Sequence, residues 1–405
     1  MDSKKVAVIG GGAAGFFAAL SAKEHHPNHQ ITLFEKTPKV LSKVKISGGG
    51  RCNVTHNCPD ISRLCEAYPR GGKKLRSLFH QFNTTDTVEW FENRGVPLKT
   101  EKDGRMFPVS DESQSIIDCL VSETVRLKID LQLGQSVERI QQKGKNWKLE
   151  FKNLQSQSFN SIIITSGGST KIKGFEWLRN LGHSIATPIP SLFTFNMPNE
   201  HIKNLMGLSV ENARVKILNS KIQTQGPLLI THWGMSGPAI LKASAFGARE
   251  LSQCDYVFDI QINWVDETNI NKIFDYLQHS NQQHPKKRVS YQKTFPLPNR
   301  LWGYLIDKAG ISSDKKWNEV GKKKLRILAN LLTQDQYAVS GKTIFKEEFV
   351  TCGGVVLNEI NLKTMQSKKA ANLYFAGEVL DIDAITGGFN FQAAWSGGYI
   401  AGKLN

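Results

Sequence analysis

The stretch KVAVIGGGAAGFFAAL, residues 5–20, decides the fold. It opens with a continuous apolar run, which is typical of a parallel strand buried on both faces, and its second half predicts a helix packed against that strand. The glycines between the two follow the pattern Gly10-x-Gly12-x-x-Gly15. In this pattern the first glycine permits a tight turn, the second lets the backbone approach a pyrophosphate, and the third lets helix and strand pack closely.

A second strand and an acidic residue complete the unit. Residues 30–36, QITLFEK, predict a strand that ends in Glu35, 20 residues after Gly15. A carboxylate at this point accepts both hydroxyls of an adenosine ribose, and the preceding helix start offers N–H groups to the phosphates. Glu35 therefore favours FAD or NAD over NADP. The predicted nucleotide contacts are Gly10, Gly12, Ala14, Gly15, Glu35 and Lys36.

Composition places the chain among soluble globular proteins. Its 405 residues are 40% hydrophobic and suffice for two or three domains. No N-terminal signal core and no apolar stretch of about 20 residues are visible, so we expect a cytoplasmic protein without membrane association. The six cysteines are too sparse for a disulfide framework and lack a common zinc spacing, so we expect no metal site.

The chain is strongly basic. Lys and Arg number 52 against 36 acidic residues, which gives a formal charge of +16. The cations cluster in residues 68–76, 285–293 and 314–326. Because a field of this sign attracts polyanions, ribosomal RNA is one candidate partner. Solvated lysine-rich helix faces and loops are the other explanation that fits the sequence.

Three local predictions concern the region before residue 190. Residues 85–95 predict a helix with Asp86 as its N-cap and Gly95 at its end. Residues 136–153 alternate in polarity around a glycine and predict antiparallel strands. Residues 161–170 predict a buried strand that returns to the main sheet.

The middle of the chain is predicted to be an insertion. Pro188 and Pro190 mark an exit from the first domain. Strand-like alternation then indicates a barrel or a sandwich, and helical segments follow it. We predict an α/β protein with a discontinuous Rossmann-like domain over 1–190 and 340–405, a barrel-like insertion over 191–266 and a helical subdomain over 267–339.

A second nucleotide-binding pattern lies near the C-terminus. LYFAGE, residues 373–378, is a short apolar strand that runs into glycine and acid, and residues 386–402 place two glycines at the head of a helix rich in small residues. In a flavoprotein such a helix start stabilises negative charge on the reduced ring, while a tight start without a ligand is the structural alternative. The predicted contacts are Gly377, Glu378, Gly387, Gly388, Phe389 and Asn390.

The segment SGGGRCNVTH, residues 47–56, together with VTCGGV, residues 350–355, resembles the BaiN/RdsA-type bacterial family of NAD(P)/FAD-dependent oxidoreductases, which are similar to aminoacetone oxidases. The likeness covers essentially the whole chain. It implies FAD bound in a Rossmann-like domain that carries a β-barrel insert and a small helical subdomain. It also implies NAD(P)H as a transient electron donor.

The chemistry of residues 47–56 suits a cofactor site. Three glycines remove side-chain obstruction, so backbone N–H groups can approach the flavin or its pyrophosphate. Lys43 and Arg51 can neutralise phosphate. Cys52 is the candidate catalytic residue, as a proton donor to carbon, and a buried structural cysteine is the alternative. The predicted cofactor contacts of this region are Lys43, Ser47, Gly48, Gly49, Gly50, Arg51 and Asn53.

The resemblance implies several reactions for members of this family. They are oxidation of small amines, reduction of conjugated double bonds in steroid-like compounds, and reduction of uridine to dihydrouridine in large-subunit ribosomal RNA. We favour the last, because it explains a charge of +16 on a flavoenzyme. The alternatives are an oxidase or reductase of a small metabolite, and a non-catalytic, flavin-containing factor that binds ribosomes.

Overall fold

The computed structural model describes residues 3–152, 154–343 and 350–405. The chain forms two compact units. The first unit combines Met1–Ser191 with Phe345–Asn405, and the second unit is Leu192–Ile344.

Strands and short helices alternate in the first segment of the first unit. Its strands are β1 (Lys5–Ile9), β2 (Gln30–Glu35), β3 (Thr55–His56), β4 (Leu98–Thr100), β5 (Arg105–Pro108), β6 (Asp130–Leu133), β7 (Val137–Lys143), β8 (Asn146–Phe151), β9 (Gln157–Phe159), β10 (Ser161–Ile164) and β11 (Ile185–Ser191). Its helices are α1 (Ala13–His25), α2 (Ser42–Ile46), α3 (Ile61–Glu66), α4 (Arg76–Phe79), α5 (Thr84–Glu92), α6 (Ser113–Arg126) and α7 (Glu176–Arg179).

The second unit and the returning segment complete the chain. The second unit contains β12 (Thr194–Asn196), β13 (Ser209–Ile217), β14 (Gln223–Ile230), β15 (Gly234–Ser236), α8 (Pro238–Gln253), β16 (Val257–Asn263), α9 (Ile270–Gln283), α10 (Asn299–Lys308), α11 (Lys322–Gln334), β17 (Asp335–Ser340) and β18 (Lys342–Thr343). The returning segment contains β19 (Val350–Val355), β20 (Ile360–Asn361), β21 (Gln366–Ser367), β22 (Leu373–Phe375) and α12 (Phe389–Gly402).

The main sheet of the first unit has the order β20-β21-β22-β10-β1-β2-β6. Strand β1 is parallel to both β2 and β10, and Val8 pairs with Leu33 on one side and Ile163 on the other. Strand β22 is parallel to β10, so the C-terminal segment adds to the same sheet. Doubly wound sheets of this kind bind their ligands outside the carboxyl ends of the parallel strands, which here include β1 and its neighbours β2 and β10. The predicted Rossmann-like α/β fold is confirmed.

Glycines bring the first and last helices of the chain into backbone contact. A Cβ atom on Gly398 of α12 would lie 2.5 Å from the Ala14 carbonyl oxygen of α1, and one on Gly402 would lie 2.5 Å from the Ala18 carbonyl oxygen. No side chain fits at either position, so the two helices pack more closely than ordinary residues allow. This contact joins the two ends of the chain within the first unit.

The second unit is built on an antiparallel sheet with the order β17-β16-β13-β14-β15-β12-β18. Its strands and its helices α9, α10 and α11 contribute to one apolar cluster, which includes Ile260, Leu277, Trp302 and Leu328. The structure therefore places the predicted strand-rich and helical regions in one compact unit. Their division into a barrel-like domain and a separate subdomain stays a prediction.

One local prediction needs correction. Helix α5 begins at Thr84, and its N-cap is Asn83, whose side chain accepts from the Thr85 amide, while Asp86 accepts from the Asn83 amide. Asp86 thus belongs to the same capping box but is not the cap. Pro188 and Pro190 lie within β11, which pairs with β19 in a two-stranded sheet whose free edges tolerate proline, and the first segment of the first unit ends one residue after Pro190, at Ser191.

Each helix in the described ranges is too short or too polar to cross a lipid bilayer.

The contact between α1 and α12 predicts different effects for two adjacent glycines. Gly398→Ala places a methyl group against the backbone of α1, and we expect it to lower the free energy of unfolding by about 1–3 kcal/mol. Gly397→Ala is the matched control, because its Cβ atom would lie 3.4 Å from the mobile end of Met365. Helix propensity alone then predicts a gain of up to about 1 kcal/mol.

Urea denaturation of both variants, followed by tryptophan fluorescence, measures the difference. Equal midpoints for the two variants would contradict the inferred backbone contact.

Candidate active site

The turn after β1 has the geometry of a phosphate cradle. Gly10 has φ +118°, and a Cβ atom there would lie 2.4 Å from the Thr165 carbonyl oxygen. A Cβ atom on Gly15 would lie 1.9 Å from the Gly10 carbonyl oxygen, so helix and turn require both glycines. Gly12 differs, because a Cβ atom there would meet nothing within 4 Å. Protein atoms therefore pack tightly against Gly10 and Gly15, whereas the space next to Gly12 is open.

The start of α1 is uncapped and next to an oriented carboxylate. Gly12 is the N-cap of α1, and as a glycine it supplies no side-chain cap to the first turn of the helix. Glu35, at the end of β2, accepts from the Gly11 amide at 2.8 Å and from the Thr37 amide at 2.9 Å. These bonds hold Glu35 beside the glycine turn, as a ribose-binding acid requires. Lys36, which follows it, is exposed.

The glycines at 48–50 form an exposed left-handed turn. Gly48, Gly49 and Gly50 have φ values of +59°, +70° and +87°. A Cβ atom on Gly49 or Gly50 would meet nothing within 4 Å. The turn is closed by the Cys52 amide, which donates to the Ser47 carbonyl oxygen at 3.0 Å. Open space and exposed backbone make this turn a second surface against which a planar ligand can lie.

The two predicted phosphate-binding cations pair with carboxylates. The Lys43 ammonium lies 2.5 Å from a carboxylate oxygen of Glu378. Arg51 pairs with Glu101 at 2.7 Å, and its guanidinium carbon lies 4.0 Å from the centre of the Phe107 ring. The hydrogen bond to Glu101 raises the pKa of Arg51. A phosphate at Arg51 must therefore compete with Glu101, whereas Lys43 is held against another predicted site residue.

The segment containing residues 47–56 meets the start of α12. With its amide oriented so that donors face acceptors, Asn53 accepts from the Gly388 amide at 2.9 Å and donates to the Thr55 carbonyl oxygen at 3.0 Å. The imidazole of His56 stacks on Phe389 with ring centres 4.5 Å apart, and its Nδ1 lies 3.0 Å from the Gly387 carbonyl oxygen. The structure thus brings together two of the predicted cofactor segments.

The turn before α12 is held by its own backbone and by Asn390. Gly387 and Gly388 have φ values of +129° and +90°, which glycine adopts without strain. The side chain of Asn390 accepts from the Ala384 amide at 3.0 Å and donates to the Ala384 carbonyl oxygen at 3.1 Å. Asn390 therefore shapes the turn, while the N-cap residue Gly388 contributes no side-chain cap to the helix.

A third group of residues surrounds Glu378. Gly377 has φ +78°, and a Cβ atom there would lie 2.8 Å from the Ala14 Cβ atom. Glu378 accepts from the Thr351 amide at 2.8 Å. The Thr351 hydroxyl oxygen is buried and has no hydrogen-bond partner in the described residues. A Cβ atom on Gly168 would lie 2.1 Å from that oxygen, so glycine is required there.

Sequence reasoning did not include Thr351 or Gly168 among the site residues. Thr351 lies in VTCGGV, which forms β19, and Gly168 lies in TSGG, which follows β10. Both stretches are far from the first fingerprint in the sequence. The available signal was the recurrence of paired glycines beside strands. It could not show that these strands converge on Glu378.

Cys52 is a buried thiol in an unusual backbone conformation. Its φ is +62°, and its side chain has no exposed surface. Burial raises the pKa of Cys52 to about 12, and a hydrogen bond with Ser47 opposes part of that rise. The thiol is therefore protonated at every physiological pH. That is the charge state of a proton donor, and the catalytic role of Cys52 stays a prediction.

The residues described above fit FAD. The backbone at Gly12 and Gly49 faces open space, the N-cap glycines of α1 and α12 supply no side-chain cap, and the buried Thr351 hydroxyl has no hydrogen-bond partner among the described residues, so polar groups remain for a ligand. The ribose-binding position carries Glu35. In the described ranges, no cluster of three or more His, Cys, Asp or Glu side chains could hold a metal ion.

Solved structures with this fold include flavoenzymes. The protein is similar to the open conformation of a flavocytochrome c3 fumarate reductase, with a TM-score of 0.50 and 17% identity over 100% of this chain and 78% of that one. It is also similar to the 3-ketosteroid delta1-dehydrogenase of Sterolibacterium denitrificans, with a TM-score of 0.50 and 12% identity over 99% of both chains. At these identities the likeness shows the fold.

The fold and the site together define an FAD-dependent oxidoreductase of the Rossmann type. The chain belongs to the family described as the HI0933-like protein Rossmann domain, which matches residues 4–404. The resemblance inferred from residues 47–56 and 350–355 is therefore confirmed, and so are FAD and the enzyme class.

Two curated relatives match nearly the whole chain. The 3-dehydro-bile acid delta(4,6)-reductase of Clostridium scindens is 24% identical over 98% of this chain and 98% of its own length. The ribosomal RNA dihydrouridine synthase of Haemophilus influenzae is 28% identical over 97% of this chain and 96% of its own length.

The open space at Gly12 predicts a variant that folds but does not bind FAD. Gly12→Val adds a side chain whose Cβ atom would meet no protein atom within 4 Å and which occupies the space before the helix start. We expect the melting temperature of the FAD-free protein to stay unchanged. FAD affinity should fall about tenfold or more, which corresponds to about 1.4 kcal/mol or more of lost binding.

Gly321→Val is the matched control, since Gly321 is the N-cap of α11, has a negative φ and also faces open space. Titration of the FAD-free proteins with FAD, followed by flavin fluorescence, measures both affinities. Equal affinity for the two variants would place the phosphates elsewhere.

Proposed function

We propose that this enzyme reduces a carbon–carbon double bond with hydride derived from NAD(P)H, and that its substrate is uridine in large-subunit ribosomal RNA. The observation that carries this proposal is a flavin site in a chain with a formal charge of +16. A polyanionic substrate explains such a charge, because cations raise both the encounter rate and the affinity. The Haemophilus influenzae relative, a ribosomal RNA dihydrouridine synthase, supports the same substrate class.

Reduction of uridine needs a hydride for one carbon and a proton for the other. FAD, when bound, supplies the hydride chemistry. The glycine turn and Glu35 hold the nucleotide end of the cofactor, and the uncapped start of α12 favours negative charge near Gly388. The Asn53 amide, bonded to Gly388, keeps that helix start in place. The protein must also provide the proton and exclude competing acceptors.

We assign the proton to Cys52. Burial keeps its thiol protonated, and Cys52 adjoins the exposed glycine turn, which its amide closes by donating to the Ser47 carbonyl oxygen. A donor of this kind typically contributes about 10²–10⁴-fold to the rate. The alternative is that Cys52 only packs beneath the turn, which its complete burial also favours.

The electron donor is proposed to be a nicotinamide nucleotide that binds transiently. The sequence contains one Gly-x-Gly-x-x-Gly fingerprint, and we assign that fingerprint, Gly10–Gly15, to FAD because the space at Gly12 is open. NAD(P)H therefore reaches the flavin without a separate dinucleotide domain of the same kind.

A second candidate substrate is a small conjugated enone. The bile acid reductase of Clostridium scindens aligns with the protein over 98% of both chains, so a relative of equal length acts on a small molecule. In that case the basic clusters are solvated surface, and the protein has no measurable affinity for RNA at physiological salt.

The preferred substrate predicts a loss of one modified nucleoside. Deletion of the gene should remove dihydrouridine from large-subunit ribosomal RNA. Complementation with the wild-type gene should restore the dihydrouridine, whereas complementation with the Gly12→Val gene should not restore it. Mass spectrometry of nucleosides from purified ribosomal RNA measures the change.

Unchanged dihydrouridine after deletion would favour the small-molecule candidate. Failure of NADPH to bleach the flavin under anaerobic conditions would favour a non-catalytic ribosome-binding factor.

The role of Cys52 predicts a selective kinetic defect. Cys52→Ala should slow the oxidation of reduced enzyme by substrate about 10²-fold or more, and leave its reduction by NAD(P)H unchanged. Because the raised pKa of Cys52 is about 12, its acid form is lost only as the pH approaches that value. The wild-type rate should thus show no loss from this group between pH 7 and about pH 10.

Stopped-flow absorbance of the two half-reactions gives both rates. Cys119→Ala is the control, since Cys119 is a buried thiol whose pKa burial also raises. Equal rates for the Cys52 and Cys119 variants would identify Cys52 as a packing residue.

A further inference from the structure

An exposed basic surface lies on the second unit. Residues 285–293 and 312–326 contain ten Lys or Arg and two acidic residues. Within the described part of the chain, the seven exposed lysines of these two segments form no ion pair, whereas Arg288 lies 3.6 Å from Asp314. We name this set the basic surface: Lys286, Lys287, Arg288, Lys315, Lys316, Lys322, Lys323 and Lys324, all of them exposed.

Two segments of the basic surface run side by side. The Val289 amide donates to the Lys315 carbonyl oxygen at 3.0 Å, and the Trp317 amide donates to the Lys287 carbonyl oxygen at 3.0 Å. Arg288 and Lys316 form the antiparallel bridge between these bonds. Because residues directly opposite in such a bridge point to the same side, the two cations share one face.

Buried side chains fix this pair of segments to the unit. Val289 and Trp317 have no exposed surface. The Trp302 indole donates to the Val289 carbonyl oxygen at 2.8 Å, and the Trp317 indole donates to the Gln292 carbonyl oxygen at 3.2 Å. The cations therefore project from an anchored backbone, and a ligand that binds them need not order a loose loop.

Local electrostatics disfavours these cations in the free protein. Like charges directly opposite each other on paired strands are destabilising, which applies to Arg288 and Lys316. Lys322, Lys323 and Lys324 form the first turn of α11, where the helix dipole is positive and acidic residues are preferred. Stability of the fold does not explain either placement. A bound polyanion removes both penalties, because its phosphates lie between the cations.

An exposed aromatic ring accompanies the cations. Tyr291 is 79% exposed, the largest exposure among the large hydrophobic side chains of the described residues, and its amide donates to the Arg288 carbonyl oxygen at 3.2 Å. An aromatic platform beside a basic track is the combination that binds unpaired nucleotides, since bases stack on the ring while phosphates meet the cations. Double-stranded RNA offers no unpaired base to such a platform.

We propose that the basic surface, with Tyr291, is the docking site for a single-stranded loop of RNA. This inference rests on the proposed function for the identity of the RNA, but the binding itself does not depend on catalysis. The phosphates contact the lysines of the two paired segments and of the first turn of α11. One unpaired base stacks on Tyr291.

The test compares matched variants of the full-length enzyme loaded with FAD. The variant Lys286→Gln/Lys287→Gln/Lys316→Gln removes three charges from the basic surface. The control Lys143→Gln/Lys145→Gln/Lys221→Gln removes three charges from exposed lysines outside it. The probe is a fluorescent, unstructured 20-nucleotide RNA, titrated by fluorescence anisotropy at several KCl concentrations.

We expect the basic-surface variant to bind about tenfold or more weakly at 150 mM salt, and its log–log salt slope to be shallower by about two. The control should keep the wild-type slope to within about one unit. Tyr291→Ala should weaken binding about fivefold or more, and Tyr291→Phe should restore it because the ring still stacks.

Several results would overturn the proposal. They are wild-type affinity in the basic-surface variant, an equal loss in the control, no RNA binding by the wild-type protein, or binding of phosphatidylserine vesicles in place of the RNA. The dihydrouridine content of cells carrying each variant is a separate readout. If the basic-surface variant loses RNA binding but its cells keep normal dihydrouridine, the docking site alone is contradicted. If the wild-type protein binds RNA at this surface in a salt-sensitive way but its cells contain no dihydrouridine, the proposed function alone is contradicted.

Discussion

The structure of the first unit depends on the backbone contact between α1 and α12. Gly398 and Gly402 leave no room for a side chain against the carbonyl oxygens of Ala14 and Ala18. The same helix α1 begins at the phosphate turn, and α12 begins at Gly388. Fixing one helix against the other therefore fixes the distance between the two helix starts. A cofactor that contacts both ends of the chain needs that distance to be constant.

The turn that contains residues 47–56 is the third component of the site, and a few polar contacts hold it. Asn53 bonds to Gly388, and His56 stacks on Phe389. The glycines before them are exposed and take left-handed conformations. The site thus combines a rigid frame of helix starts with an open turn. This arrangement suits a flat ligand that must be held firmly while one of its faces stays accessible to a donor and a substrate.

The second unit carries chemistry of a different kind. Its buried tryptophans, Trp302 and Trp317, anchor segments that contain ten Lys or Arg and only two acidic residues. Charge of one sign in such a concentration is costly to the fold and useful to binding. The two units therefore differ in chemistry. Apolar and glycine-rich packing in the first unit fits a flavin, and the basic surface on the second unit fits a polyanion.

The sequence by itself determined the parallel strand, the tight turn at Gly10, the close packing at Gly15 and the place of Glu35, because these features depend on spacing within one strand-turn-helix-strand unit. Tertiary structure alone decided the remaining contacts. His56 and Gly387 are 331 residues apart and still meet at 3.0 Å. Thr351 and Gly168 converge on Glu378. Local spacing specifies local geometry, whereas contacts between distant residues exist only after the sheet and its two glycine-packed helices have assembled.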